Sequence, residues 1–272
     1  MFENRTVVIT GASRGIGKAI ALRLARDRAN IVIAAKSIKE DPRLGGTIFS
    51  AADEVEAAGG RSLAVKCDIR SEEDIKEMVR QTIDRFGGID IVINNASAIS
   101  LTSTENTETR RFDLMHDINV RGTFLVTKEC IPFLRLSSSA HILTLSPPLN
   151  LQQPKWLGAH VAYTLSKYCM SMMTIGWSEE LRQDKIAANS LWPRTTIATA
   201  AVRNLLGGEA LAKMSRTPDI IADAAYCILK QASTECTGNL FIDEEVLARE
   251  GITDLDRYAI APGAKLFDDL FL

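Results

Sequence analysis

Apolar residues fall along this chain in two rhythms. Short unbroken apolar runs alternate with longer stretches in which apolar residues recur every three or four positions. The first rhythm predicts strands buried on both faces; the second predicts amphipathic helices. Strands are expected at 5–10, 30–35, 62–68, 89–96, 141–146, 186–193 and 239–243. Helices are expected at 15–27, 47–60, 71–88, 110–134, 162–181 and 218–231. The helix over 71–88 carries the clearest signals. Ser71 suits its amino cap, Glu72, Glu73 and Asp74 complement its dipole, and Gly87 with Gly88 stops it. Pro147 and Pro148 halt the fifth strand.

Strand–helix alternation with nearly all-apolar strands predicts an α/β fold. The expected form is a Rossmann-like doubly wound parallel sheet of about seven strands, with helices on both faces. No repeat, low-complexity tract or linker divides the chain. Residues 1–272 read as one domain, with an extension from about 244.

Composition narrows the function. The chain is 46% hydrophobic and 24% charged, as in globular proteins with a sizeable core. A net charge of -2 gives no reason to expect nucleic acid or an anionic membrane as a partner. No apolar run approaches the roughly 20 residues that span a bilayer. The opening residues lack the pattern of a secretory signal and "KLFDDLFL" is not a peroxisomal address, so a cytoplasmic location is expected. Cys67, Cys130, Cys169, Cys227 and Cys236 form neither a disulfide framework nor a zinc pattern. His116, His141 and His160 do not cluster with carboxylates, and no metal is expected.

The stretch "TGASRGIG" (10–17) joins the first strand to the first helix. Gly11, Gly15 and Gly17 permit a tight turn, and Ser13, Arg14 and Ile16 complete a loop whose helix presents N–H groups to a phosphate. The second strand ends Ala34, Ala35, Lys36, without the carboxylate that commonly holds the ribose of NAD. Lys36 and Arg14 instead suit an extra phosphate, so NADP(H) is expected over NAD(H). Further along, "YTLSK" sets Tyr163 and Lys167 one helical turn apart on one face. That pair alone is weak evidence of chemistry.

Four stretches in order, "TGASRGIG", "NNAS" (94–97), "NVRG" (119–122) and "YTLSK", resemble the short-chain dehydrogenase/reductase family over most of the chain. "ITGASRGIGKAIAL", "GGIDIVINNASAISL" and "HILTLSPPLN" look like one subgroup, the hydroxysteroid dehydrogenase-like protein 2 group. The resemblance implies that members can carry a sterol-carrier domain after the dehydrogenase domain, and none is expected within these 272 residues. The resemblance implies that Tyr163 is the general acid in reduction and the base in oxidation. A phenol with a pKa near 10 is a poor base, and the Lys167 ammonium is expected to lower that value. Lys167 would also bind the nicotinamide ribose. The resemblance further implies that Asn119 holds a relay water, that Asn95 and Ala96 line the cofactor with Asn95 mainly structural, and that Asp68 approaches the adenine. It implies a homodimer or homotetramer paired through the helices of 119–134 and 162–181.

The chain departs from the family pattern in three places. The usual serine, 13 residues before the tyrosine, is Asn150; the nearest serine is Ser146, 17 residues back. Ser146 and Asn150 both stand as candidate donors to a substrate carbonyl, in what reads as a long, proline-stiffened loop. The loop 36–47 is lengthened near the expected adenosine end. The usual Pro-Gly after the sixth strand is Pro193-Arg194, which places a cation, with Thr195 and Thr196, either near the nicotinamide or in solvent. Residues 197–217 should form a substrate lid with Arg203, Lys213 and Arg216, hinged at Gly207 and Gly208. Trp156, Leu157, Trp192 and Leu205 are expected to line an apolar pocket. The expected function is an NADP-dependent oxidoreductase moving hydride between nicotinamide and a lipophilic carbonyl or alcohol, or an acyl thioester whose phosphates meet the lid cations. Its alternatives are a non-catalytic NADP-binding sensor or scaffold, and an enoyl-type reductase.

Overall fold

Runs of Val, Ile, Leu and Ala with no polar alternation can be buried only between two layers of helices, and these runs form the sheet. The structure, a computed structural model, describes residues 1–152 and 154–272, with the side chain of Leu205 outside the description. The strands are β1 (Thr6–Thr10), β2 (Asn30–Ala35), β3 (Arg61–Lys66), β4 (Ile91–Asn94), β5 (Ala140–Thr144), β6 (Ile186–Trp192) and β7 (Leu240–Ile242). All pair in parallel, in the order β3-β2-β1-β4-β5-β6-β7. The winding reverses between β1 and β4, so a crevice opens there beyond the carboxyl ends of the strands.

The helices are α1 (Gly15–Ala25), α2 (Ile48–Ala57), α3 (Glu72–Phe86), α4 (Thr109–Met115), α5 (Thr123–Leu134), α6 (Pro154–Ala159), α7 (Val161–Glu180), α8 (Gly208–Lys213), α9 (Asp219–Leu229) and α10 (Asp243–Arg249). The period of two along each strand sorts the core into two layers. Val7, Ile9, Ile31 and Ile33 meet Ile20 and Leu24 of α1 and Ile221 of α9. Val8, Val32 and Val92 meet Met78 of α3, Val126 of α5 and Trp177 of α7. Among the described residues, no helix is long and apolar enough to cross a membrane.

The signals at the ends of α3 act as expected. Ser71 Oγ accepts from the Asp74 N–H at 3.1 Å, and Gly87 closes the helix in a left-handed conformation at φ 82°. Ser71→Ala should lower stability by about 1 kcal/mol in thermal or urea unfolding, and Ser71→Gly by only a few tenths. No measurable loss in Ser71→Ala would show that the cap bond contributes nothing.

Three expectations change. The single helix over 110–134 is α4 and α5 joined by π-helical turns over His116–Gly122. The loop before "YTLSK" is not wholly irregular, because Pro154 opens the short α6. The extension beyond 244 contains most of α10 and a 3-10 turn at Asp256–Tyr258. It then returns to the sheet edge, where Phe267 O accepts from Thr196 N at 2.9 Å and Asp269 N donates to Arg194 O at 3.0 Å.

Candidate active site

The loop between β1 and α1 leads directly into the amino end of the helix. Arg14 occupies the amino cap of α1 without capping it through its side chain, and no acid stands in the first turn. The first N–H groups and the positive dipole end therefore meet no competing carboxylate there. Asn95 braces the loop from β4: its Nδ2 donates to Thr10 O at 2.8 Å and to Gly11 O at 3.2 Å. Thr10 Oγ1 accepts from Asn95 N at 3.1 Å and from Ala96 N at 3.0 Å. A Cβ on Gly17 would lie 2.5 Å from Asn95 Nδ2, so this junction has no spare room. Ser13 is buried in the loop and Ile16 packs on the core below it.

The lengthened loop after β2 folds back over this turn. Arg14 donates to Ser37 Oγ and, at 3.4 Å, to Gly46 O. A Cβ on Gly46 would lie 2.6 Å from Ser13 O. Lys36 stands beside Ser37 with its ammonium 3.7 Å from Asp68. Arg70 binds Asp68 and holds its carboxyl well down, at about 2. The two cations expected to choose the cofactor thus share one edge, together with a hydroxyl, Ser37, that the motifs do not single out. Both are already partnered, Lys36 by Asp68 and Arg14 by Ser37.

Deeper in the crevice, Tyr163, Lys167 and Asn119 are all buried. Asn119 lies in the π-helical turns, a kind of local widening that often re-aims a side chain. Its Oδ1 accepts from Ala98 N at 2.8 Å, and its Nδ2 donates to Ala98 O and to Ser166 Oγ, each at 2.9 Å. Ser166 Oγ in turn donates to Tyr163 O at 2.8 Å. Asn119 is thereby tied to the turn of α7 that carries the tyrosine.

Lys167 Nζ donates to Leu145 O at 2.6 Å, lies 3.4 Å from Met170 Sδ, and stands over the Trp192 ring at 5.1 Å. Burial pushes its pKa down to about 7, opposed by the charge of Asp269. Burial also pushes the Tyr163 phenol up, and the Asp269 carboxylate adds to that rise. The expected depression of the phenol by the ammonium is therefore not what this arrangement produces. Lys167 spends its charge on the Leu145 carbonyl, and desolvation of the phenol outweighs the help of a neighbour. Asp269 itself is raised to about 7 by burial.

Ser146 lies just beyond β5, fully buried, and its Oγ has no partner among the described residues. Asn150 meets α7 through its backbone, its O accepting from Tyr168 OH at 3.3 Å, while Pro147 O accepts from Ser171 Oγ at 2.5 Å. Arg194 turns to the rim and pairs with Glu245 at 2.8 Å. In the lid, Arg203 pairs with Glu209 and Arg216 with Glu244, so two of the three cations expected to meet substrate phosphates are already engaged. Trp156, Leu157 and Trp192 do gather in one apolar cluster; Leu205 lies outside the described residues. The centre of that cluster is Phe271, which no sequence signal marks: it lies far along the chain from the motifs and belongs to no periodic pattern. Asp243, buried under Arg194 N and pushed up to about 6 by burial, was equally silent. Among the described residues, no group of three His, Cys, Asp or Glu is placed to hold a metal.

Comparison with known proteins gives a consistent picture. The family model described as short chain dehydrogenase matches residues 5–209. Hydroxysteroid dehydrogenase-like protein 2 of Rattus norvegicus is 57% identical over 267 residues, covering 98% of this chain and 50% of that protein. The protein of the same name in Homo sapiens is 55% identical over 267 residues, covering 98% of this chain and 63% of its own. The chain thus spans only part of the length of these curated relatives. A crystal structure of a short chain dehydrogenase from Mycobacterium thermoresistibile superposes with a TM-score of 0.94 at 49% identity, covering 100% of this chain and 96% of its own.

Proposed function

The chain belongs to the short-chain dehydrogenase/reductase family, and from that premise we propose that it moves hydride between NADP(H) and a lipophilic carbonyl or alcohol, with Tyr163 handling the proton. One observation carries this reading. Tyr163, Lys167 and Asn119, which stand apart in sequence, are buried together at the carboxyl ends of β4 and β5, beside a phosphate-shaped loop. The residues fit a dinucleotide: the glycine cradle is too tight for a Cβ at Gly17, and the α1 amino end is uncapped. When bound, NADP(H) supplies or accepts the hydride at its nicotinamide. Gly11, Ser13, Arg14, Gly15, Ile16 and Gly17 would hold its pyrophosphate, Lys36, Arg14 and Ser37 its extra phosphate, and Asp68, Asn95 and Ala96 would border its adenosine side. Lys167 would hold the nicotinamide ribose.

Tyr163 Oη gives a proton to the nascent alkoxide in reduction and takes it back in oxidation. Asn119 fixes the turn of α7 from which that hydroxyl projects. Ser146 Oγ, buried and without a partner among the described residues, suits the substrate oxygen. With Arg203 and Arg216 engaged, an uncharged lipophilic substrate fits better than a phosphorylated thioester. Exposed Phe112, Phe124, Leu165, Met172 and Ile175 on α4, α5 and α7 suit pairing with a second copy, as a homodimer or homotetramer.

The cofactor assignment is tested by titrating the protein with NADPH and NADH and following nicotinamide fluorescence. NADPH should bind more tightly. Lys36→Ala should weaken NADPH binding about tenfold, as expected for one lost charge-assisted phosphate contact, and leave NADH nearly unchanged. Equal loss for both nucleotides would remove the NADP assignment. Oxidation of NADPH with a panel of ketones, aldehydes and enones then tests the reaction class by its products.

A further inference from the structure

Residues 267–272 form a strap that leads into the candidate active site. Its backbone is held by the residues that follow β6. Phe267 O accepts from Thr196 N at 2.9 Å, Asp268 pairs with Thr195 in an antiparallel bridge, and Asp269 N donates to Arg194 O at 3.0 Å. Trp192 Nε1 then donates to Leu270 O at 2.9 Å. These bonds deliver Phe271, 2% exposed, into a socket of four rings. Its centroid lies 5.5 Å from Tyr168, 5.7 Å from Trp192, 6.0 Å from Tyr163 and 6.1 Å from Trp156. Such tilted and edge-on contacts are the preferred geometry for aromatic packing.

Two features mark this insertion as a held state rather than a permanent part of the wall. Phe271 has φ 77°, a left-handed conformation that a bulky residue adopts only when its surroundings impose it. Tyr163 beside it is only 4% exposed, with the two ring centroids 6.0 Å apart, so the seated Phe271 ring fills the space against the tyrosine. We propose that Phe271 occupies the seat of the substrate's own ring, so that the strap competes with a flat, apolar, ring-bearing carbonyl and must leave before that substrate enters. This rests on the reading of Tyr163 as the proton-transfer group. The socket selects the ligand chemistry: aromatic walls on several sides and, among the described residues, no ion pair within it, which suits an aryl or fused-ring ketone.

A ligand that binds only the open form has its apparent affinity reduced by the fraction of molecules that are open. The test uses acetophenone together with NADP, a pair that cannot react, measured by isothermal titration calorimetry. Phe271→Ala should bind acetophenone at least tenfold more tightly than the unaltered protein. Equal or weaker binding would overturn the proposal, because it would make Phe271 a wall of the pocket. Should Phe271→Ala not fold, the double variant Thr195→Cys with Asp268→Cys serves instead. Paired antiparallel residues lie within disulfide reach, so oxidation fastens the strap. The oxidised form should bind acetophenone at least tenfold more weakly than the reduced form of the same protein, and equal affinities would overturn the proposal. Repeating the titration in a Tyr163→Phe background separates the two ideas. Tighter binding on adding Phe271→Ala there, with turnover undiminished by Tyr163→Phe, would sink the catalytic reading alone, whereas lost turnover with unchanged binding would sink the strap alone.

Discussion

Tyr163→Phe should lower kcat by roughly 10²–10⁴ while leaving NADPH binding within about twofold, since positioned proton transfer typically contributes that much to turnover. The substitution removes one hydroxyl and keeps the ring. Packing against Phe271 at 6.0 Å survives, and the fold should be untouched. The direction of the pKa shift adds a second expectation. Burial and the Asp269 carboxylate hold the phenol protonated, which equips it as an acid rather than a base near neutrality. Reduction of a ketone by NADPH should therefore run faster at pH 7 than oxidation of the matching alcohol at saturating cofactor, and oxidation should gain on it as pH rises. Lys167 is pushed down to about 7, so its ammonium is present below that pH and lost above it. If the ammonium holds the ribose, NADPH affinity should weaken as pH rises through 7. Unchanged kcat in Tyr163→Phe would remove the proton-transfer role from this residue, and absence of turnover in the unaltered protein would favour a cofactor-binding protein without carbonyl chemistry.

What the sequence disclosed and what it hid follow from the range of the forces involved. The strands were legible because burial on both faces demands unbroken apolar runs, and "NIVIAA" forms β2 with the limits expected of it. Ends set by local chemistry, such as Ser71 and Gly87, were legible too. The short-range motifs place the glycine loop on a strand–helix junction, and put Tyr163 and Lys167 on one helix. The π-helical turns at Asn119 were not legible: an extra residue per turn barely changes the apolar rhythm, and Asn119 is placed by bonds to Ala98 and Ser166, far off in sequence. The direction of Lys167 was hidden for the same reason, since its partner is the carbonyl of Leu145 on another element. Phe271 and Asp269 were wholly silent. Their positions depend on main-chain bonds to Arg194 and Thr196, which no local pattern encodes.

Gly17→Ala should impair both folding and cofactor binding, although helix propensity alone predicts the opposite. Alanine inside a helix is favoured over glycine by about 1 kcal/mol. At Gly17 the added Cβ would lie 2.5 Å from Asn95 Nδ2, 2.9 Å from Gly11 O and 3.1 Å from Ala12 Cα. Asn95 cannot simply turn aside, because that same Nδ2 donates to Thr10 O and Gly11 O and braces the loop. Either the amide bonds break or the turn between β1 and α1 moves outward. Overpacking of this kind costs about 1–3 kcal/mol, which exceeds the propensity gain over most of that range. The displaced turn is also the one that would present N–H groups to the pyrophosphate, so a shift of a few tenths of an ångström acts on affinity as well as on stability. We expect a net stability loss of up to about 2 kcal/mol and at least a tenfold rise in the Kd for NADPH. Gly88→Ala is the matched control: a Cβ there would meet nothing within 4 Å, and its effect should stay within about 0.5 kcal/mol. Equal Kd values for NADPH in Gly17→Ala and the unaltered protein would show that the nucleotide does not approach this turn, and the phosphate role of the loop would fall with it.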